Sequence, residues 1–338
     1  MEKNMKSDYV ELTGIGESHL NSEEIDTKDL KDNEAVIKAE YSMISAGTEL
    51  SRAFALKQGF KYPVKPGYCM VGKIISKGKD IDANVGERVF VNAPHASMVR
   101  WQNGNDVQGP MILRLPEDLD PIRATAINLL LVAIQGVNLT EVKLGDRVAV
   151  FGLGNIGILT ALLYKKMGCD VVGLDIVENR CQLAKTMGVE YVISDKDQLQ
   201  ALKEQYPEGI DICVDVTGLA NVIVNTVAAV HSYGQVLLLG SPRQSYETDL
   251  MPLLSNIHMK DIRVIGAFNK TVNVAPVPGS NDNMLRNFRI ACDLLKNDID
   301  VTKMITRIID PKDCQQAYYD LMYNKDQTNS IVFDWNSY

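Results

Sequence analysis

Residues 148–176 read VAVFGLGNIGILTALLYKKMGCDVVGLDI, and this stretch decides the fold. An apolar run typical of a buried strand leads to three glycines, Gly152, Gly154 and Gly157, in the spacing G-x-G-x-x-G, and a helical pattern begins there. A second apolar run then ends at Asp175, 18 residues after Gly157. This order of strand, glycine turn, helix, strand and acid predicts a dinucleotide-binding βαβ unit.

Each glycine of this turn has a physical task in such a unit. The first permits the tight turn, the second lets the backbone approach a pyrophosphate, and the third lets the helix pack on the strand, with helix amides facing the phosphates. Asp175 could accept hydrogen bonds from the adenosine ribose and would repel a 2′-phosphate, so NAD(H) is predicted over NADP(H), although Arg180 could offset that charge. The residues predicted to bind the cofactor here are Gly152, Gly154, Asn155, Ile156, Gly157, Asp175, Ile176 and Arg180.

The rest of the chain divides into a β-rich first third and an alternating region that begins near residue 124. In the alternating region, strands are predicted at 148–152, 170–175, 191–193, 211–215, 235–240 and 263–267. Helices are predicted at 157–167, 178–187 and 220–229. Regular alternation of this kind requires a parallel sheet with helices on both faces.

Composition limits the class of protein. A chain of 338 residues predicts two domains, and a net charge of −8 argues against nucleic acids and anionic membranes as partners. The N-terminal stretch has no apolar signal core and no apolar run reaches the length of a membrane span. The six cysteines show no C-x-x-C spacing, so we expect free thiols in a reducing cytoplasm.

Three further stretches carry a family resemblance: PVKPGYCMVGKIISKG (63–78), VKLGDRVAVFGLGNIG (142–157) and VTKMITRIIDPKDCQQAYYDLM (301–322). Over nearly its whole length the chain resembles the medium-chain dehydrogenase/reductase superfamily, which includes the zinc alcohol dehydrogenases. The resemblance implies an α/β protein with a GroES-like β-rich catalytic domain, discontinuous over residues 1–127 and 269–338. It implies a Rossmann domain with a doubly wound parallel sheet over 128–268, and a homodimer or homotetramer.

The chain departs from the zinc-containing members at the metal. Ala46 stands at the ligand cysteine, Tyr68 at the ligand histidine and Cys69 at the adjacent acid, while the third ligand position falls near 127–128 without a ligand. The four-cysteine lobe of the structural zinc is also missing. Because a catalytic zinc needs three Cys, His, Asp or Glu ligands, we expect none here, although Cys69 and Glu49 could mimic two of them.

Four polar residues are then the catalytic candidates. Thr48 stands where the resemblance implies a proton-relaying hydroxyl, or else it is a loop residue that bonds its own backbone. Tyr68 would point into the space of the metal, as a hydrogen-bond donor, as an acid/base with a lowered pKa, or as a space-filling ring. Glu49 could position Thr48 or be a structural carboxylate, and His95 could be a proton shuttle near the active site or a packing residue.

Residues after the later strands complete the predicted cofactor site. Thr217, Gly240 and Ser241 follow the fourth and fifth strands of the alternating region, at the carboxyl ends where ligands of α/β sheets bind. Phe268 follows the last strand and could cover the nicotinamide ring or pack between domains.

The leading functional hypothesis is an NAD-dependent oxidoreductase that interconverts a secondary alcohol, such as a sugar, a polyol or a similar polar metabolite, with its ketone. A reductase of enones or quinones is the alternative chemistry, and a non-catalytic NAD(H)-binding sensor is the alternative of a different class. The expected partner is a small-molecule substrate, with no nucleic acid and no membrane.

Overall fold

The structure is a computed structural model and describes residues 4–56, 59–104, 111–268, 272–274, 276–278 and 282–338. The chain forms two compact units. The first comprises Met1–Asn128 together with Lys270–Tyr338, and the second comprises Leu129–Asn269. Part of the proline- and glycine-rich loop at 273–282 lies outside the described residues.

The strands are β1 (Asn4–Gly14), β2 (Glu17–Asp26), β3 (Glu34–Met43), β4 (Met70–Lys77), β5 (Arg88–Val91), β6 (Met98–Gln102), β7 (Ile112–Arg114), β8 (Arg147–Phe151), β9 (Asp170–Leu174), β10 (Tyr191–Ile193), β11 (Ile210–Asp215), β12 (Val230–Leu238), β13 (Arg263–Gly266), β14 (Ile305–Ile309) and β15 (Ser330–Asp334). The helices are α1 (Ala46–Ala53), α2 (Pro121–Ala124), α3 (Ile127–Asn138), α4 (Asn155–Lys166), α5 (Glu178–Met187), α6 (Gln198–Gln205), α7 (Ala220–Ala229), α8 (Met251–Met259), α9 (Met284–Asn297) and α10 (Cys314–Tyr323).

The second unit is a doubly wound parallel sheet. Its strand order is β10-β9-β8-β11-β12-β13, and every neighbouring pair is parallel. The central strand β8, RVAVF, is buried from Val148 to Phe151, as expected for a strand covered on both faces. Because all the strands run the same way, the ends of β8, β9, β11 and β12 meet at one edge of the sheet, which is the edge where such folds bind ligands.

The first unit is built on an antiparallel sheet. Its order is β14-β15-β3-β4-β5-β7, with β6 paired to β3 and only β14 and β15 running parallel. The C-terminal segment is part of this sheet: β15 runs antiparallel to β3, and Val332 pairs with Met43. Apolar side chains of β1, β3, β4 and β15 form a core with α10, and Trp335 is fully buried in it.

The predicted α/β class, a β-rich unit with a Rossmann-type sheet, is confirmed. Three predicted elements, α5, α7 and β10, have the bounds that the sequence indicated. The largest difference in position is at strand β12, which begins at Val230, five residues earlier than predicted, directly after α7. One of the two alternatives for Thr48, a loop residue, was wrong, because Thr48 lies in the helix α1.

Within the described part of the chain, no helix combines the length and the apolar character needed to span a membrane.

Candidate functional site

The three glycines of the turn after β8 have different surroundings. Gly152 has φ +98°, in the left-handed region that favours glycine, and a Cβ on Gly157 would lie 1.8 Å from the carbonyl oxygen of Gly152. The fold therefore requires glycine at positions 152 and 157 whether or not a ligand binds. Gly154, at the N-cap of α4, has a negative φ and a Cβ there would meet nothing within 4 Å. Its open surroundings are those that a bound pyrophosphate needs.

Asp175, directly after β9, holds this turn in place. Its Oδ2 accepts a hydrogen bond from the amide of Leu153 at 2.7 Å, and its Oδ1 accepts one from the amide of Val177 at 2.9 Å. The side chain is only 6% exposed. Each carboxylate oxygen accepts one backbone amide and can accept a further hydrogen bond. Asp175 can therefore still bind a ribose hydroxyl, but only through the small part of its side chain that is exposed.

Arg180 lies beside that acid. Its Nη1 is 3.7 Å from Asp175 Oδ2, and among the described residues its buried Nε has no hydrogen-bond partner. Burial lowers the pKa of Arg243, and the nearby positive charge of Arg180 lowers it further. Positive charge is therefore concentrated next to the one acid that was predicted to exclude a 2′-phosphate.

A second acid at the same edge of the sheet was missed by the sequence analysis. Asp215 ends β11, is fully buried, and accepts hydrogen bonds from the Thr217 hydroxyl at 2.6 Å and from the amides of Thr217 and Gly218. Burial raises the pKa of Asp215, and these donors oppose the rise. The hydroxyl of Thr217 thus shapes the turn, and the signal in the sequence was the acid at the end of a strand in DVTG.

The loops after β11 and β12 lie so close together at this edge of the sheet that only glycine fits at the contact. A Cβ on Gly218 would lie 2.0 Å from Ser241 O, and one on Gly240 would lie 2.3 Å from Gly218 N. Ser241 is itself exposed. The remaining cofactor candidates of this unit differ in exposure: Asn155 and Ile156 are half-buried in the first turn of α4, while Ile176 and Phe268 are 69% and 58% exposed.

In the first unit, three hydroxyl groups come together at the N-terminus of α1. Tyr68 donates a hydrogen bond to Oγ of Ser45, and the Thr48 side chain is near enough to the phenol to lower its pKa. Thr48 is exposed on α1, Tyr68 is half-buried, and Ser45 is buried. Ser45 is the N-cap of α1 but makes no capping hydrogen bond with its side chain, which leaves the hydroxyl to Tyr68. The sequence analysis did not select Ser45.

Tyr68 cannot act through a lowered pKa, as one of the predicted alternatives required. Burial raises its pKa well above the ordinary value, the neighbouring Cys69 and Glu49 add to the rise, and the hydrogen bonds of Ser45 and Thr48 only partly oppose it. The phenol therefore stays protonated at physiological pH and can donate a hydrogen bond.

The other two catalytic candidates, Glu49 and His95, pair with each other inside the core. Glu49 is 1% exposed and His95 is 0% exposed, and Nε2 of His95 lies 2.9 Å from Oε2 of Glu49. Tyr318 of α10 also donates to this carboxylate, at 2.6 Å. His95 is therefore placed as a buried hydrogen-bonding group and has no exposed surface from which to exchange protons with solvent.

The chain was compared with known proteins. Residues 155–279 match the family of zinc-binding dehydrogenases. A zinc-type alcohol dehydrogenase-like protein of Haemophilus influenzae, itself uncharacterized, is 24% identical over 275 residues, which cover 72% of this chain and 78% of that protein. Both matches support the medium-chain dehydrogenase/reductase superfamily for this chain.

Solved structures share its fold along the whole length. Galactitol-1-phosphate dehydrogenase from Escherichia coli has a TM-score of 0.81 at 18% identity, with 97% of this chain and 99% of that one covered. A zinc-binding dehydrogenase-type protein from Sinorhizobium meliloti 1021, solved with NADP, has a TM-score of 0.78 at 19% identity and covers 98% and 99%. These structures show the shared fold, while the family match and the zinc-type relative indicate a dehydrogenase/reductase.

The residues that the sequence resemblance assigns to the zinc ligands do not fit a zinc ion. Ala46 offers no lone pair, Tyr68 stays a protonated phenol, and burial together with the charge of Glu49 raises the pKa of the Cys69 thiol well above its usual value. Glu49 already accepts three hydrogen bonds. Zinc binds thiolate, neutral imidazole and carboxylate, and among the described residues no cluster of three such side chains is placed to hold a metal ion.

Proposed function

We propose that this protein is a zinc-independent, NAD(H)-dependent oxidoreductase that interconverts a secondary alcohol of a sugar, a polyol or a similar polar metabolite with its ketone. The observation that carries the proposal is the hydroxyl set of Thr48, Tyr68 and Ser45 at the position of the superfamily's metal. Preorganised donors aimed at a reacting oxygen stabilise the charge that develops on it, which is the task that a metal otherwise performs.

The three hydroxyls have distinct tasks in this proposal. A bound nicotinamide would supply the acceptor for the hydride of the carbinol carbon and the hydride donor to the ketone. Thr48 is the exposed member and hydrogen-bonds the reacting oxygen, whose proton leaves to water in oxidation and returns in reduction. Tyr68 remains protonated and donates its one hydrogen to Ser45 on its buried side, which leaves the hydrogen of the neighbouring Thr48 hydroxyl for the reacting oxygen. In oxidation the alcohol thus loses one hydride and one proton and becomes the ketone.

The cofactor assignment rests on the glycine turn and Asp175. The open space at Gly154 admits a pyrophosphate next to the amides of α4, and the acid after β9 favours a free ribose 2′-hydroxyl. Arg180 at 3.7 Å weakens this preference, and the structural relative from Sinorhizobium meliloti was solved with NADP. We therefore propose NAD(H) as the preferred cofactor. The positive charge of Arg180 reduces the preference for NAD(H) over NADP(H).

We also propose that two copies associate through the edge of the second unit. Strand β13 is the last strand of the sheet, and Val264 on it is 43% exposed. The adjacent helix α8 has no buried residue, and Met251, Leu254 and Met259 are all more than half exposed. Pairing of β13 with its copy across a two-fold axis would cover both features. A cytoplasmic location, supported by six free buried cysteines, completes the proposal.

The test uses protein freed of metal by a chelator, NAD and a panel of sugars, polyols, sugar phosphates and secondary alcohols, with reduced nicotinamide followed by absorbance. We expect turnover of at least one compound at a rate that neither the chelator nor added zinc changes. Loss of that rate on chelation and its return with zinc would overturn the metal-free mechanism. Reduction of enones or quinones alone would establish the alternative chemistry, and tight NADH binding without any turnover would establish the sensor.

A further inference from the structure

The buried carboxylate of Glu49 stands at the centre of a polar network that joins three segments of the first unit: α1 with its N-cap, the loop after β5 and α10. Oε1 accepts the amide of Ser45 at 2.7 Å, and Oε2 accepts Nε2 of His95 at 2.9 Å and the Tyr318 hydroxyl at 2.6 Å. An uncompensated charge at 1% exposure would be strongly destabilising. Three hydrogen-bond donors compensate the negative charge of the Glu49 carboxylate.

The imidazole of His95 is held at both of its ring nitrogens. Trp335 Nε1 donates to Ser42 Oγ at 2.9 Å, and Ser42 Oγ lies 2.7 Å from Nδ1 of His95. An indole can only donate, so Ser42 Oγ accepts from Trp335 and keeps its own hydrogen and a second lone pair for other partners. Nε2 of His95 faces the carboxylate of Glu49, which can only accept. The orientation of the ring is therefore fixed from both sides.

Tyr318 is likewise held as a donor. Burial raises its pKa well above the ordinary value, and the charge of Glu49 and the hydrogen bond to it raise it further. Its hydroxyl and the imidazole of His95 therefore both point hydrogens at Oε2, from α10 and from the loop after β5. Oε1 is left for one partner, the backbone amide of Ser45.

That last contact connects the network to the proposed catalytic hydroxyls. A serine at an N-cap ordinarily uses its hydroxyl to accept an amide of the first helical turn. Here Glu49 binds the N-cap amide, in the manner of a capping box, and the Ser45 hydroxyl instead receives the hydrogen bond of Tyr68. The location of Ser45, and through it of the Tyr68 phenol, is set by Oε1 of Glu49.

We propose that Glu49 is a positioning residue for the reaction. The His95–Glu49–Tyr318 network fixes Ser45 and Tyr68, which support the Thr48 hydroxyl that faces the reacting oxygen, where zinc-containing members use metal coordination. The role of the hydroxyls rests on the proposed function, whereas the placement of Tyr68 by Glu49 does not. Tyr318 and Ser42 become functional residues on this view, although neither touches the substrate.

The placement is tested without any substrate. In protein labelled with ¹³Cζ-tyrosine, the Tyr68 signal is assigned by its loss in Tyr68→Phe. We expect Glu49→Gln and Ser45→Ala to move this signal in the same direction, because a Gln that keeps its oxygen toward His95 and Tyr318 turns its NH₂ toward the Ser45 amide. Tyr164→Phe is the matched control, since it removes another buried tyrosine hydroxyl, one bonded to Thr140. A Tyr68 signal unchanged in Glu49→Gln would overturn the proposal.

A double-mutant cycle tests the consequence for turnover. We expect Glu49→Gln to lower kcat by about tenfold to a hundredfold, the range seen when a supporting hydrogen bond of a catalytic group is removed, with the KM for the dinucleotide unchanged. In a Ser45→Ala background the same substitution should have little further effect. Independent, additive losses would show that Glu49 acts on stability alone. If the wild type turns over no substrate, the proposed function fails, and the tyrosine spectrum still decides the placement.

Discussion

The carboxylate of Asp175 accepts a hydrogen bond from the amide of Leu153 at 2.7 Å, so the acid that follows β9 also fixes the glycine turn that follows β8. Cofactor selection and the shape of the phosphate site therefore depend on one side chain. Since Arg180 lies 3.7 Å from the same oxygen, the charge that an incoming adenosine meets is that of the pair and not of the acid alone. Two unit charges at such a separation interact by about 4 kcal/mol at an effective dielectric constant near 20.

Removing the cation should sharpen the preference for NAD(H). We expect Arg180→Gln to weaken NADPH binding about tenfold relative to NADH, because Asp175 then repels a 2′-phosphate without compensation. Fluorescence titration with both reduced cofactors measures the ratio. Lys185→Gln, on the same helix and not paired with Asp175, is the control and should leave the ratio unchanged. An Arg180→Gln protein with the wild-type ratio would show that Arg180 does not reach the adenosine site.

Substitution of the glycines should separate ligand binding from folding. Gly154→Ala adds a methyl group to open space, so we expect a normal melting temperature and a dinucleotide affinity reduced about tenfold or more. Gly157→Ala places its methyl group against the carbonyl oxygen of Gly152 and should lower the melting temperature. Thermal unfolding and NADH titration of both variants check this. Unimpaired NADH binding by Gly154→Ala would refute a pyrophosphate at that position.

The architecture of the second unit could be predicted from the sequence because its determinants are local. Alternation of apolar runs with helical patterns, and glycines at fixed spacing, placed α5, α7 and β10 at their observed bounds. Strand β12 was placed late because the residues after Val230, His231 to Tyr233, are polar or exposed. Its pairing with β11 passes from Val230 to Gln235 across a register shift, which is a tertiary property that the sequence pattern does not show.

The candidate catalytic residues were harder to interpret because their surroundings come from distant parts of the chain. Tyr318 lies 269 residues from Glu49 in sequence, and His95 lies 46 residues from it. No local pattern shows that these side chains share one carboxylate, that Ser45 receives the hydrogen bond of Tyr68, or that burial raises rather than lowers the pKa of the phenol.

Replacement of Tyr68 by Phe should lower turnover and spare the cofactor. We expect kcat to fall by about tenfold to a hundredfold, the loss typical of a removed supporting group, because Thr48 loses the neighbouring phenol, while the NADH dissociation constant stays unchanged. Steady-state assays and NADH titration on the same preparation measure both. Wild-type kcat in Tyr68→Phe would show that Thr48 acts without the phenol and would remove Tyr68 from the mechanism.

The pH dependence follows from the raised pKa of Tyr68. A phenol with a raised pKa is protonated at every pH below that value, so between pH 6 and pH 10 it contributes no ionisation to kcat. The profiles of the wild type and of residual Tyr68→Phe activity should therefore have the same shape and differ only in height. A wild-type limb near pH 8 that disappears in Tyr68→Phe would mean that the phenol titrates as an acid/base, contrary to its burial.

A charge on the sheet edge should dissociate the proposed dimer. Val264 lies on β13 and is 43% exposed, and an Asp there would place two like charges near the two-fold axis and deny the edge its partner. We expect light scattering to give twice the 37.5 kDa chain mass for the wild type and the single mass for Val264→Asp. Leu144→Asp, at an 88% exposed site before β8, is the matched control and should stay dimeric. A wild-type chain that is monomeric at assay concentration would remove this interface, and a mass four times that of the chain would assign β13 to one contact of a tetramer.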